Sequence, residues 1–339
     1  MGKLMLKVGH FDQAEELYQE LLKNASTDSD RAHIYHELGR VKWQQGHYEK
    51  EIQFYEKSLE IKRKTLPEDH ASLAPIYSNI GLVYNNMGEY SKALEYYEKA
   101  NKICEISLPP THPSLATSYN NIGQVYNNMG EYSKALEYYD KSLKIKEISL
   151  PPTHPSLATS YSNIGLVYSD MGEYSKALEY YEKDLEITKK ALPPTHPDLA
   201  TSYNNIGQVY NNMGEYSKAL EYYDKSLKIK EISLPANHPG LATSYNNIGL
   251  VYNDMGEYSK ALEYYDKSLK IREISLPPTH PDLATSYNNI GQLYEEMDDY
   301  SKALPLLEKA LGIWRKSLPS THPNIKIVMN AIDRVKKKL

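Results

Sequence analysis

The sequence repeats itself. Ala116 to Pro151 and Ala200 to Pro235 are the same thirty-six letters, ATSYNNIGQVYNNMGEYSKALEYYDKSLKIKEISLP, and looser copies precede, separate and follow them. Gly39, Gly81, Gly123, Gly165, Gly207, Gly249 and Gly291 fall 42 residues apart, and Gly46, Gly88, Gly130, Gly172, Gly214 and Gly256 do the same. A chain of 339 residues would otherwise suggest two domains. Self-similarity at such a period points instead to an array, which lengthens without building a second core.

Each unit reads as two helices. Tyr77, Ile80, Tyr84 and Met87 are spaced so as to share one stripe of a first helix, A. Gly88 suits a left-handed helix end, and a second run follows with Tyr90, Ala93, Tyr97, Ala100 and Ile103 on its inner side, helix B. The segment SLPPTHPSLA ends helix B, because paired prolines cannot continue it. His112 then caps the next helix and Pro113 takes its first position. Gly81 and Ala93 leave room for A and B to approach closely, with Tyr77, Ile80, Tyr84 and Tyr97 around them. One such pair cannot cover its own apolar faces, so each must stack on the next. Tyrosine outnumbers phenylalanine by 32 to 2. That suits a thin two-layer core in which a ring is buried while its hydroxyl reaches the wet edge.

The order aromatic, Ile-Gly, Tyr, Gly, Ala, aromatic, Ala/Ser, Pro resembles the tetratricopeptide repeat, in a 42-residue form. His196 to Pro239 is similar to the repeats of kinesin light chains and nephrocystin-type arrays, and the resemblance covers nearly the whole chain. It implies an all-α, right-handed superhelical α-solenoid of stacked antiparallel helix pairs. The expected organisation is a truncated repeat over 1–30, seven 42-residue units over 31–320 and a capping helix over 321–339. Aligning Gly9 with Gly46 puts Gly2 at the helix A glycine, so the chain opens inside a helix and an upstream segment is expected in the native gene product. In the first complete unit Lys42 replaces the tyrosine and Glu51 the alanine, as expected where there is less neighbour to pack against. At the other end Ile325, Val328, Ile332 and Val335 face inward and lysines outward.

Family geometry implies that the A helices line a concave groove. Asn79, Asn121, Asn163, Asn205, Asn247 and Asn289 stand there in register, and each amide can bond both the C=O and the N–H of an extended peptide. In related grooves the second Asn of a YNNIG-like motif is implied to do this. Asn120, Asn204 and Asn246 precede ladder members and join the candidate set. For any one Asn the plain alternative is solvation, or a bridge to the neighbouring repeat. Asn brings no helix propensity of its own, which favours a contact role. One lining position alternates, with Leu82, Leu166 and Leu250 in every second unit and Gln124, Gln208 and Gln292 in the others. The true period is therefore 84 residues, and a bound strand would meet apolar and polar floors in turn; neutral copying by duplication is the competing account.

The family is also known for taking acidic, tryptophan-containing peptides on basic residues. Here the lining of Thr117, Asn120, Gln124, Asn127 and Asn128 is neutral, with Arg40, His33 and His36 only in the first unit and Asp170, Asp254, Glu295 and Glu296 making the later part acidic. No lysine stands where a carboxylate clamp would need one, and the heptads that join a light chain to its motor are absent.

Other chemistry finds little support. Net charge is −5 with both signs interleaved, which offers nothing to phosphates or anionic membrane. The single Cys104 excludes an intrachain disulfide, and the start lacks a secretory pattern or long apolar run, so a cytoplasmic monomer is expected. The histidines at 70, 112, 154, 196, 238, 280 and 322 recur too far apart for one zinc ion and read as caps. Cys104 aligns with Lys62, Lys146, Lys230 and Arg272, taken as exposed positions on helix B. Glu95–Lys99, Glu98–Lys102 and Asp140–Lys144 have the favourable spacing of a solvated face. The expectation is thus a non-catalytic scaffold or adaptor without cofactor, metal or nucleic acid, holding a protein segment in its groove; a kinesin-light-chain-like cargo adaptor is the nearest analogy. Two rivals are the interaction module of a larger enzyme, for example an ADP-ribosyltransferase, and a modular RNA reader.

Overall fold

A computed structural model describes residues 11–44, 47–318 and 322–339. Among them sixteen α-helices follow one another, with no strand. The A helices are α2 (Asp28–Gln44), α4 (Ala74–Asn86), α6 (Pro113–Asn128), α8 (Pro155–Asp170), α10 (Pro197–Asn212), α12 (Pro239–Asp254) and α14 (Pro281–Glu296). The B helices are α1 (Phe11–Lys23), α3 (Tyr48–Thr65), α5 (Tyr90–Ser107), α7 (Tyr132–Ser149), α9 (Tyr174–Ala191), α11 (Tyr216–Ser233), α13 (Tyr258–Ser275) and α15 (Tyr300–Ser317), and α16 (Pro323–Lys336) ends the chain. Gly2, Gly9 and Gly46, on which the reading of the chain's opening turned, lie outside the described residues.

Two compact units divide the chain, Met1–Met171 and Gly172–Leu339. In the first, α2 pairs with α3, α4 with α5 and α6 with α7, while α3–α4, α5–α6 and α7–α8 contacts join successive pairs. In the second, α10–α11, α12–α13 and α14–α15 are the pairs, joined through α9–α10, α11–α12, α13–α14 and α15–α16. Each unit is an all-α solenoid of stacked antiparallel helix pairs.

Local chemistry sets the helix limits. At His112 the Nδ1 atom accepts from the Ser114 amide at 3.1 Å, and the histidines at 70, 154, 196, 238, 280 and 322 cap in the same way. Helix A ends in a Schellman turn: Glu89 N donates to Tyr84 O at 2.9 Å and Gly88 N to Asn85 O at 3.0 Å, with Gly88 at φ +77°. In the last repeat Asp298 takes the corresponding conformation at φ 59°. The unit at α4 differs at its start, where Ala71–Leu73 form a 3₁₀ turn. Pro75 explains this, since a proline there has no N–H for the Ala71 carbonyl and would press its ring against it.

Between A and B the approach is as close as the glycine allows. A Cβ on Gly81 would lie 2.9 Å from Tyr97 Cδ1, and on Gly207 2.9 Å from Tyr223 Cδ1. Ile80, Val83, Ala93, Tyr97 and Ala100 are buried around the contact, and so are Leu73 and Ile76. Met87, expected on the inner stripe, is 40% exposed. It is the C-cap, beyond the last turn that faces helix B. Lys42 and Glu51 are not slack end positions either. Lys42 is buried and its Nζ meets Glu15 Oε2 at 2.5 Å, and Glu51 is buried with its carboxyl pushed up to about 7 by desolvation. Ile325, Val328, Ile332 and Val335 of α16 are buried, as their spacing indicates.

Two measurements check this packing. Gly207→Ala should destabilise by about 1–3 kcal/mol through overpacking on Tyr223, more than the ~1 kcal/mol of helix propensity it gains; a chemical melt in which the variant equals or exceeds the parent would refute the close approach. Asp184, on α9, stands where four other repeats carry Ser58, Ser142, Ser226 and Ser268, and burial pushes its carboxyl up to about 6 against hydrogen bonds from Ser202 and Thr188. The folded state therefore holds a proton that the unfolded chain releases between about pH 4 and 6, and this stabilisation is lost as pH rises through 6. Asp184→Asn should stabilise by about 1–3 kcal/mol at pH 7.5 and be close to neutral at pH 4 in urea melts.

Candidate peptide-binding face

The A helix residues that turn away from helix B form polar seams between repeats. Asn163 Nδ2 donates to Asn120 Oδ1 at 2.9 Å, Asn247 Nδ2 to Asn204 Oδ1 at 3.0 Å, and Asn289 Nδ2 to Asn246 Oδ1 at 2.9 Å. Asn79 Nδ2 lies 3.4 Å from His36 Nε2. Asn79, Asn121, Asn163, Asn205, Asn247 and Asn289 are all half-buried. Each bridge uses one of the amide's two N–H groups and leaves the other, with Oδ1, as bonding capacity. The bridges therefore hold the amides in orientation without exhausting them.

The alternating position divides in the same way. Gln124 Oε1 accepts from the buried Tyr139 hydroxyl at 3.2 Å, and its Nε2 donates to Asn128 at 3.1 Å. Gln208 repeats the arrangement with Tyr223 at 3.1 Å and Asn212 at 2.9 Å. The glutamines so satisfy a hydroxyl that packs on the glycine, besides any part in a floor. Leu82 and Leu166 are about two-fifths exposed and Leu250 is half-buried.

Several charged groups expected on this face have hydrogen-bond or ion-pair partners within the array. Asn127 is buried and donates to Asp170 Oδ2 at 3.3 Å, and Asn211 treats Asp254 alike. Arg334 of α16 grips Glu295 with two nitrogens, at 2.8 and 3.0 Å. In the first repeat Arg40 pairs with Glu37 at 3.2 Å, and burial lowers the His36 pKa. On the B side, Lys99–Glu95 and Lys144–Asp140 form at 2.6 Å with exposed side chains.

One set of inward residues escaped the sequence reading. Lys146 is half-buried and sends Nζ to Ser160 Oγ at 2.7 Å and Ser156 O at 3.3 Å on the next A helix. Lys230 reaches Ser244 Oγ at 2.9 Å, and Arg272, buried, reaches Ser286 Oγ at 2.8 Å. Desolvation lowers both lysines' pKa values. The position is thus a seam between pairs, not the exposed one its residue types suggested. The available signal was a serine recurring at a fixed interval after Lys146, Lys230 and Arg272. Where Cys104 takes this place, a cavity of about 520 Å³ lies against Asn79, Leu82, Tyr97, Ser118 and Asn121.

Among the described residues no group of three His, Cys, Asp or Glu could hold a metal ion, and no helix is long and apolar enough to cross a membrane. A tetratricopeptide repeat family profile matches residues 1–64, 72–148, 151–232 and 236–316. No curated protein matches the sequence. Nearly identical TPR-like repeats of a candidate kinesin light chain from Podosopora anserina are 25% identical, with a TM-score of 0.54, covering 62% of this chain and 99% of that one. A Rap protein complexed with competence and sporulation factor is 18% identical at TM-score 0.59, over 99% and 96%. A signal transduction ATPase with numerous domains and a tetratricopeptide repeat sensor, from Pyrococcus horikoshii, is 19% identical at TM-score 0.64, over 94% of this chain and 46% of that one. With 435 solved chains matching, the fold by itself does not choose a partner.

The glutamine seam is checked by a double-mutant cycle. Gln208→Leu and Tyr223→Phe should couple by about 0.5–1.5 kcal/mol; additive losses in urea melts would remove the hydrogen bond from the account.

Proposed function

The chain belongs to the tetratricopeptide repeat family, and from that premise we propose that its A helices hold an extended peptide of a protein partner along the asparagine ladder of each unit. A repeat array of this fold is a protein–protein interaction module; the finer reading is an adaptor without catalysis of its own. The observation that carries it is the recurrence of one carboxamide per repeat at Asn79, Asn121, Asn163, Asn205, Asn247 and Asn289, with Asn163, Asn247 and Asn289 tethered to the preceding repeat. Their spacing gives a main chain repeated donors and acceptors without reading its side chains. Asn120, Asn204 and Asn246 act one step removed, each fixing the ladder amide of the next repeat. Leu82, Leu166 and Leu250 supply apolar patches between the polar steps. Asp170 and Asp254 meet only neutral amides and keep their charge, while Glu295 is paired with Arg334, which disfavours the acidic peptides familiar from kinesin light chains.

Likeness to the P. anserina kinesin-light-chain repeats favours a cargo-adaptor role for this chain. Net hydrogen-bond contributions of about 0.5–1.5 kcal/mol each, offset by ordering of the peptide, give an affinity on the order of micromolar.

The test is affinity capture with the parent and with Asn121→Ala, Asn163→Ala and Asn247→Ala combined, alongside circular dichroism of both. Partners recovered by the parent should be lost or weakened about 100-fold in the folded variant. Unchanged recovery of every partner by a folded variant would eliminate the ladder.

A further inference from the structure

The repeat around α5 breaks the pattern at one buried place. Where other B helices send Lys146, Lys230 or Arg272 inward, α5 has Cys104, 7% exposed. Its side chain stops at Sγ, where a lysine continues through Cδ and Cε to Nζ. Ser118, the counterpart of Ser160, Ser244 and Ser286, is 4% exposed, and its Oγ has no hydrogen-bond partner. Both residues line the cavity of about 520 Å³, together with Ser114 and with Asn79, Leu82 and Asn121 of the peptide-binding face. That volume lies within the usual range of ligand sites.

The array itself indicates what such a place accepts. Lys146 Nζ donates to Ser160 Oγ at 2.7 Å and Ser156 O at 3.3 Å; Lys230 Nζ donates to Ser244 Oγ at 2.9 Å and Gly240 O at 3.4 Å. Ser118 and Ser114 stand in register with these acceptors, and the chain brings no cation to them. A thiol is a weak donor. Burial, reinforced by Glu105, pushes the Cys104 pKa up, so the wall here is neutral.

We propose that this cavity is a primary-ammonium site that takes a lysine side chain from a peptide lying across Asn79 and Asn121. The peptide as the source rests on the function proposed above; the ammonium chemistry does not. Leu82, 40% exposed, and Tyr97 flank the aliphatic stem, while the head meets Ser118 Oγ and the Ser114 carbonyl. An apolar side chain would leave the serine hydroxyl orphaned, and a carboxylate would set its lone pairs against the carbonyl.

The experiment titrates the full chain with n-butylammonium chloride, then with Ac-Ala-Ala-Lys-Ala-Ala-amide and its norleucine counterpart, following backbone amide shifts by NMR. Butylammonium should move resonances of α4, α5 and α6, and Cys104→Lys, which restores the ordinary pattern of the array, should fold and weaken that binding at least tenfold. Ser118→Ala should weaken it about tenfold, and the lysine peptide should bind better than both butylammonium and the norleucine peptide. Shifts that persist in Cys104→Lys, or their absence in the parent, would overturn the ammonium site. Butylammonium binding without any gain for the lysine peptide would overturn the peptide source and leave the ladder to be judged by its own variants.

Discussion

A pair of helices of this length has two apolar sides and only one partner within its own repeat. Everything else follows from the need to cover the second side with the neighbouring pair. Inside a pair, glycine against tyrosine brings A and B close; between pairs, Leu73, Ile76 and Leu115 close the layer below the next helix. A layer so thin cannot hide polar edges, so hydroxyls, carboxamides and ammonium groups come to lie at the seams. Tyr119 meets Glu105, Lys146 meets Ser160, and Asn163 meets Asn120, each bond joining one repeat to the next. These seams fix register, since a slip of one residue would strand every donor together.

The same seams prepare the face on which a guest would lie. An asparagine free in solvent loses side-chain entropy when it binds; one already tethered by a single N–H to its neighbour has lost part of it beforehand. On the function proposed here fold and recognition share residues, so stability must be followed whenever a ladder member is replaced. Variation then becomes informative. Cys104, like Thr188 and Trp314 in other repeats, stands in place of a cation, and at Cys104 a cavity with an unanswered hydroxyl lies beside it.

Helix limits, inner stripes and caps were legible because they depend on periodicity, proline and glycine, which act locally. His112, Gly88 and Ile325 behave as their positions dictate. Met87 was misplaced because helical spacing continues past the point where the helix stops. The inward lysines were misread for a different reason: residue type announces solvent, whereas a long stem lets the charged end cross a seam and reach a serine on another helix. Asn127 and Glu295 were placed correctly on the A helices, but their partners, Asp170 and Arg334, belong to other repeats. Pairings of that kind require knowing how far one repeat is displaced against the next, and the sequence states the period but not the offset.

Mutual burial is tested most directly by excising segments of the second unit and melting them in urea: residues 197–235 alone, then two pairs, and finally all three with α16 through 339. The account predicts that the single pair shows little helix and no cooperative transition, and that stability rises with each pair added. A single excised pair that folds cooperatively, with longer segments no more stable, would contradict it.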